Sequence, residues 1–322
     1  MTSVTTAPPA QRSAAAPPPG ARRHRPARIH GSRFLPYLLI GPAAVYLILF
    51  QGLPLLQEVF LSTTKTSLLN PGRNTFVGAD NFVKIFTDPR FMSTLWITAV
   101  YVVVCVAGIV LVGLGVALLM DRDFPGRAAA RSIVIIPWAA PAVAVALIQV
   151  WMLNGQYGVI NRILEPFGLV PPGGVWLDNQ QLALPVILAI TIWQLFPFTA
   201  VVILAALQSV PEELHEAALL DGAGRWTRFR AVTWPVISPT VGLMALLVTI
   251  WSIRRFELIW LMTQGGPVGA TNTIVIDLYR RGFVNNQLGE SAAVGIVGLV
   301  ISLTITIVYF VVSNRQQKEG RS

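Results

Sequence analysis

Six uninterrupted apolar runs of membrane-spanning length divide this chain, and no other feature restricts its fold as tightly. They lie approximately at Phe34 to Leu61, Leu95 to Met120, Ser132 to Leu153, Leu182 to Leu207, Thr240 to Met262 and Ala292 to Val312. About 20 helical residues cross a hydrocarbon core of roughly 30 Å, and a helix satisfies all of its backbone polar groups internally. Strands of an outer-membrane barrel would alternate apolar and polar residues, and a run such as Val102 to Leu119 does not. Composition agrees: 54% hydrophobic residues, 12% charged residues and a mean hydropathy of +0.62 exceed what a soluble domain's surface can cover. The expected fold is an all-α integral membrane protein with six transmembrane helices.

Most of the 24 Lys and Arg residues fall in 1–33, 121–131, 208–239 and 313–322; the opposite side holds Lys65, Arg73, Lys84, Arg90, Arg162, Arg280 and Arg281. Because basic residues are retained on the inner side, both termini and the 208–239 loop are expected in the cytoplasm, in a bacterial plasma (inner) membrane. Residues 1–33 carry Pro17 to Pro19 and several arginines without an apolar core, so they read as a disordered basic arm lying against membrane lipid and not as a cleaved signal peptide. Residues 313–322 form a second cytoplasmic tail. The net charge of +9 mostly reflects these inner segments, and no nucleic-acid partner is expected from it.

Whole classes of chemistry drop out. Cys105 is alone and mid-span, so no disulfide or thiolate metal site is expected within the chain. His24 and His30 belong to the arm and His215 to a loop, which leaves no histidine at membrane depth for a hydrolase or proton relay. Lys65, Lys84 and Lys318 follow no G-x-x-x-x-G phosphate loop. No catalytic residue, metal site or bound cofactor is expected; if ATP drives transport, another chain hydrolyses it.

The connectors are unequal. The first outer loop contains FVGADNFVKIF (Phe76 to Phe86), which predicts a small packed element. The second carries a short helix around Ile160 to Phe167 and the turn run Pro171 to Gly174, and the third opens with GGPVGA and continues through an amphipathic stretch, Thr273 to Phe283. Together they predict an outer face wide enough for a soluble partner.

The inner loop is the informative one. Ser209 and Glu212 have capping-box spacing, which predicts a helix from near Val210 with Pro211 in its first turn. Leu214, Ala217 and Ala218 share a face. Gly222 supplies a left-handed break, a second helix follows from about Gly224 with Trp226 and Phe229 on one side, and Pro235 and Pro239 stop it and begin the next span. The result is a rigid elbow suited to a partner's socket.

Glu216-Ala217-Ala218, Gly222 after three intervening residues, and Trp234-Pro235 with Ile237 and Pro239 resemble the Glu-Ala-Ala cytoplasmic loop of ABC importer permeases that depend on a solute-binding protein. Phe76-Val77-Gly78 with Asn81-Phe82, and Phe256 to Ile259 leading to Met262-Thr263 and Gly265-Gly266-Pro267, resemble the carbohydrate-uptake branch, similar to the maltose and glycerol-phosphate permeases. The likeness covers roughly 34–312; Trp234 departs from it, since the family usually has a smaller residue before that proline. The resemblance implies a type I importer permease domain, a second homologous permease, two ATPase subunits that use ATP and Mg, and an extracytoplasmic binding protein. The coupling positions carried over are Glu216, Ala217, Ala218, Asp221 and Gly222. ATP binding would close the ATPase pair and swing the elbow as a rigid body.

Arg254, Arg255 and Glu257 fall inside the run Thr240 to Met262, where an isolated charge costs at least about 2.5 kcal/mol. Arg254 and Glu257 are three apart and can pair on one helix face; Arg255 then points elsewhere. Two readings stay open: the group lines the solute pathway with Trp251, or it stabilises packing against the partner permease. Trp193 and Gln194 beside Pro197 form a second candidate lining site, with Trp138 and Gln149 behind them. The solute is expected to be a sugar or oligosaccharide. A glycerol-phosphate-type or other anionic solute suits the arginine pair as well, and a secondary transporter is the remaining alternative.

Overall fold

The computed structural model describes residues 35–168 and 174–319; the basic arm and Pro171 to Gly173 lie outside them. By contacts the chain divides after Leu53. The first unit contains α1 (Leu35–Leu47), carrying Pro42, and a π-helical turn, Ile48–Gly52, with the Tyr46 and Phe50 rings 4.8 Å apart.

The second unit holds the rest. Helix α2 (Leu53–Ser62) runs into a hairpin that the sequence did not announce, β1 (Thr64–Ser67) antiparallel to β2 (Asn70–Phe76). Asn81 Nδ2 donates to the carbonyls of Ser62 (2.9 Å) and Thr64 (2.8 Å), which seats α3 (Asp80–Thr87) against the hairpin; this is the packed element expected from Phe76 to Phe86. Asp88 caps α4 (Pro89–Met120), with Pro89 in the first turn, where its missing N–H costs nothing.

The run expected over Ser132 to Leu153 is broken. Helices α5 (Arg127–Ala139) and α6 (Ala142–Met152) meet at 91°. The cause is local, since Pro141 pushes Ala140 out of the helical region to ψ 136. After α7 (Val159–Leu164) and a 3-10 turn, Glu165–Phe167, comes α8 (Ala183–Leu207), the central helix, 56% of whose membrane window is buried. Glycines on α4 let it lie close to α8: a Cβ on Gly113 would sit 2.9 Å from Thr199 Cγ2 and 3.3 Å from the Ala200 nitrogen. Alongside them the buried Tyr101 and Thr191 hydroxyls bond at 3.0 Å.

The elbow consists of α9 (Glu212–Leu220) and α10 (Arg225–Arg228). The capping box does not form. Pro211 takes the N-cap position, and the Ser209 hydroxyl bonds back to the Ala206 carbonyl at 2.7 Å. Nor do Pro235 and Pro239 stop the second helix: it passes through a π turn, Phe229–Thr233, into α11 (Trp234–Ile253), giving a 29-residue run from Arg225 to Ile253. Pro235 lies where α11 begins, and Pro239 is accommodated within the helix.

The run expected over Thr240 to Met262 is also divided. Helix α11 ends at Ile253, and α12 (Glu257–Thr263) starts after a break at 254–256. Helix α13 (Ile274–Tyr279) and a π turn, Arg280–Val284, lead to α14 (Leu288–Glu319). The described residues thus contain five helices long and apolar enough to span a membrane, or six if the bent α5–α6 pair counts as one. One apolar core joins α4, α6, α8, α11, α12, α13 and α14; a smaller one, Ala117, Ile203, Leu204, Leu207, Ile237 and Val241, lies toward the elbow.

Candidate functional site

The elbow is closed by a Schellman-type turn. Ala223 N–H donates to the Ala218 carbonyl (2.9 Å) and Gly222 N–H to Leu219 (3.0 Å), with Gly222 at φ +75 and Asp221 as the C-cap, its N–H bonded to Ala217. Glu212 and Glu213 occupy the first turn of α9, where carboxylates complement the helix dipole. Glu216 and Ala217 are exposed, and so are larger apolar groups: Leu219 is 54%, Leu220 90% and Trp226 72% accessible. The Trp226 and Phe229 rings stack at 5.7 Å, and Phe229 meets the tilted Trp234 ring at 6.1 Å, which links the turn to the following helix. A cluster of large apolar side chains left exposed around a hydrogen-bonded turn marks a surface built to be covered.

A second centre forms where two helix breaks, α5–α6 and α11–α12, meet the continuous helix α8. Gln194 lies near the middle of α8 and is 3% exposed; its Nε2 donates to the Ala140 carbonyl (3.3 Å) freed by the α5–α6 corner, and its Oε1 accepts from Arg255 Nη2 at the α11–α12 break. At the same level Trp138 of α5 stacks on Phe198 of α8 (5.1 Å, 22°), and Phe198 meets Trp251 of α11 (5.4 Å). Gln194 and Phe198 lie near the middle of α8, a helix of membrane-spanning length, so the group they gather, with Trp251 and Arg255 coming from the end of α11 and the break after it, sits at the mid-depth of that helix.

The structure sorts the sequence candidates. Trp251, Gln194 and Arg255 come together, and Trp138 joins them. Trp193 is half exposed with no ring partner among the described residues, and Gln149 has no side-chain partner there. Phe198 was missed; its spacing from Gln194, one helical turn on, was the available signal. The expected Arg254–Glu257 pair does not form, because the two flank a helix break and do not share a helix face. Arg254 instead lines a separate cavity of about 470 Å³ with Glu58, Ile274 and Gly295, where a Cβ in place of the Gly295 hydrogen would collide with the Glu58 carboxylate.

A third cluster was not anticipated. Arg281 Nε donates to Asp277 Oδ2 (2.7 Å), Nη1 to Glu290 Oε2 (3.1 Å) and Nη2 to Asp88 Oδ2 (2.9 Å), and its guanidinium carbon lies 5.9 Å from the centre of the Phe91 ring. Burial pushes the Asp88 carboxyl up, but the hydrogen bond and charge of Arg281 outweigh it and hold Asp88 below the usual carboxylate range. Burial likewise works against the Arg281 charge, and Asp277 and Asp88 raise its pKa beyond the ordinary value. The cluster borders a polar cavity of about 900 Å³ that also includes Arg90, Gln264, Asn272 and Arg280.

The family model for the binding-protein-dependent transport system inner membrane component matches residues 109–318, a stretch that contains both the elbow and the mid-depth centre. The chain belongs to that family. It is a multi-pass membrane permease and not an enzyme. It is 34% identical over 279 residues to the sulfoquinovosyl glycerol transport system permease protein of Agrobacterium fabrum, covering 87% of this chain and 90% of that one. It is 33% identical over 278 residues to the trehalose/maltose transport system permease protein of Thermococcus litoralis, covering 85% and 92%. The fold of the permease is shared with a chain of a bacterial alginate ABC transporter solved with an alginate pentasaccharide-bound periplasmic protein: TM-score 0.77, 24% identity, 88% of this chain and 96% of that chain.

Proposed function

We propose that this permease imports a sugar or oligosaccharide delivered by an extracytoplasmic solute-binding protein, in an assembly with a second, homologous permease and two ATPase subunits. The relatives named for sulfoquinovosyl glycerol and for trehalose and maltose support the solute class. Both termini and the elbow face the cytoplasm, as the clustering of Arg225, Arg228 and Arg230 with the other inner arginines supports, and the hairpin faces the binding protein. The chain binds no cofactor of its own; ATP and Mg belong to the ATPase subunits.

The observation that carries this reading is the elbow: Leu219, Leu220 and Trp226 exposed around a turn that Gly222 locks. The ATPase covers that surface, with Glu216, Ala217, Ala218, Asp221 and Gly222 at the contact. Because α10 continues into α11, movement of the elbow reaches Trp251 and Arg255, and the solute passes along them beside Trp138, Phe198 and Gln194. ATP shifts the assembly only in so far as it binds one arrangement more tightly than the other.

The test is reconstitution of the assembly with Glu216→Lys and Gly222→Pro. Both variants should insert normally and lose solute-stimulated ATP hydrolysis. Undiminished coupled hydrolysis, or ATP-independent uptake by vesicles that contain this chain alone, would overturn the reading.

A further inference from the structure

The centre around Gln194 carries a charge that no described residue balances. Among the described residues the ion pairs involve only Arg127 and Arg281, so no described carboxylate lies within bonding range of Arg255. The one side chain that accepts from Arg255 is the neutral amide of Gln194, and the Arg255 Nε is buried with no acceptor. Glu257, two residues away, is exposed, and Glu58 faces Arg254 in the separate cavity. Gln194 is itself fixed by the Ala140 carbonyl, so the guanidinium is held in position by a group that cannot neutralise it. An uncompensated cation held against the middle of a membrane-length helix persists where a passing anion or a water-filled path meets it.

We propose that Arg255 is an anion-recognition point, and that the carbohydrate this permease carries bears an acidic group, a carboxylate, sulfonate or phosphate. A guanidinium presents its N–H donors as a planar fork matched to two oxygens of such a group. Gln194 occupies one Nη and fixes the plane, which leaves the remaining edge for the solute. Trp138, Phe198 and Trp251 offer aromatic faces to the sugar ring at the same depth. The three acids share one chemistry here, and the inference rests on the transport reading above.

The experiment uses the intact purified transporter without its binding protein and follows tryptophan fluorescence during titration with maltose, a digalacturonate, sulfoquinovose and glucose 6-phosphate. At least one of the three acidic sugars should bind about tenfold or more tightly than maltose, and which one does so identifies the acid. Arg255→Gln should erase that preference, Arg255→Lys should keep part of it, and Gln194→Glu, which supplies a carboxylate next to the guanidinium, should erase it without removing the arginine. Equal binding of maltose and all three acids, or a preference that survives both Arg255→Gln and Gln194→Glu, would overturn the proposal. If the same preparation still shows solute-stimulated ATP hydrolysis with its binding protein present, only the anion inference fails; if it shows none, the transport reading fails with it.

Discussion

Arg281 reaches across 193 residues of sequence to Asp88, Nη2 to Oδ2 at 2.9 Å, and ties the start of α4 to the turn before α14. With Asp277 and Glu290 it gathers three carboxylates around one guanidinium whose side chain is 12% exposed. Removing the cation would leave those acids partly buried and mutually repelling.

Arg281→Met should therefore destabilise the hairpin face by about 3 kcal/mol, and Arg281→Lys, which cannot bridge three acids at once, by a smaller amount. Thermal unfolding of the purified protein in detergent measures both. A melting point unchanged in Arg281→Met would show that the cluster contributes nothing.

The pH dependence follows from the sign of the Asp88 shift. A carboxyl whose folded pKa is depressed stabilises the fold above its ordinary value, here 3.8, and that contribution disappears as pH falls through the lower folded value. Arg281, shifted upward, stays charged throughout the range. Asp88→Asn should thus melt below the wild type near neutrality, and the gap should close below about pH 4. A constant gap down to pH 3 would contradict the assignment.

Gly113 and Gly108 both face α8 but should respond differently to alanine. At Gly113 the added methyl meets Thr199 and the backbone of Ala200, which cannot yield, so Gly113→Ala should cost roughly 1–3 kcal/mol. At Gly108 the obstacle is the flexible end of Ile192, which can rotate aside, and the cost should be smaller. Paired unfolding curves decide; the reverse ranking would mean that α4 and α8 are spaced differently.

Gly222→Ala should keep the fold of the spans while straining the elbow, since a residue with a Cβ at φ +75 carries a penalty of about 1 kcal/mol. The expected readout is slower coupled ATP hydrolysis with unchanged membrane insertion. Full coupling would make the left-handed turn incidental.

The parts of this molecule that were legible in the sequence are those set by neighbouring residues. Hydropathy located the spans, and Gly222 with Gly224 gave the elbow's turn, because glycine placement is decided within a few positions. The capping box failed on an equally local point: Pro211 took the cap and Ser209 turned back to Ala206. The Arg281 cluster was invisible because its partners come from segments that meet only after folding. The break at 254–256 was hidden for a related reason, since an apolar run with two arginines reads as one helix until Gln194 is seen on α8 claiming Arg255. Phe198 is one of two phenylalanines flanking Pro197 and stands out only once Trp138 and Trp251 are seen on either side of its ring.

The 29-residue helical run from Arg225 to Ile253, π turn included, is a continuous connection about 43 Å long, by the axial rise of a helix. One end carries the aromatic rings of the elbow and the other ends beside Trp251, so a tilt imposed at the first end is passed along one helical run to the second. On the proposed function, engagement of the ATPase and rearrangement around Trp251 would then be a single mechanical event, and a variant that loosens the run midway, away from both ends, would let one proceed without the other.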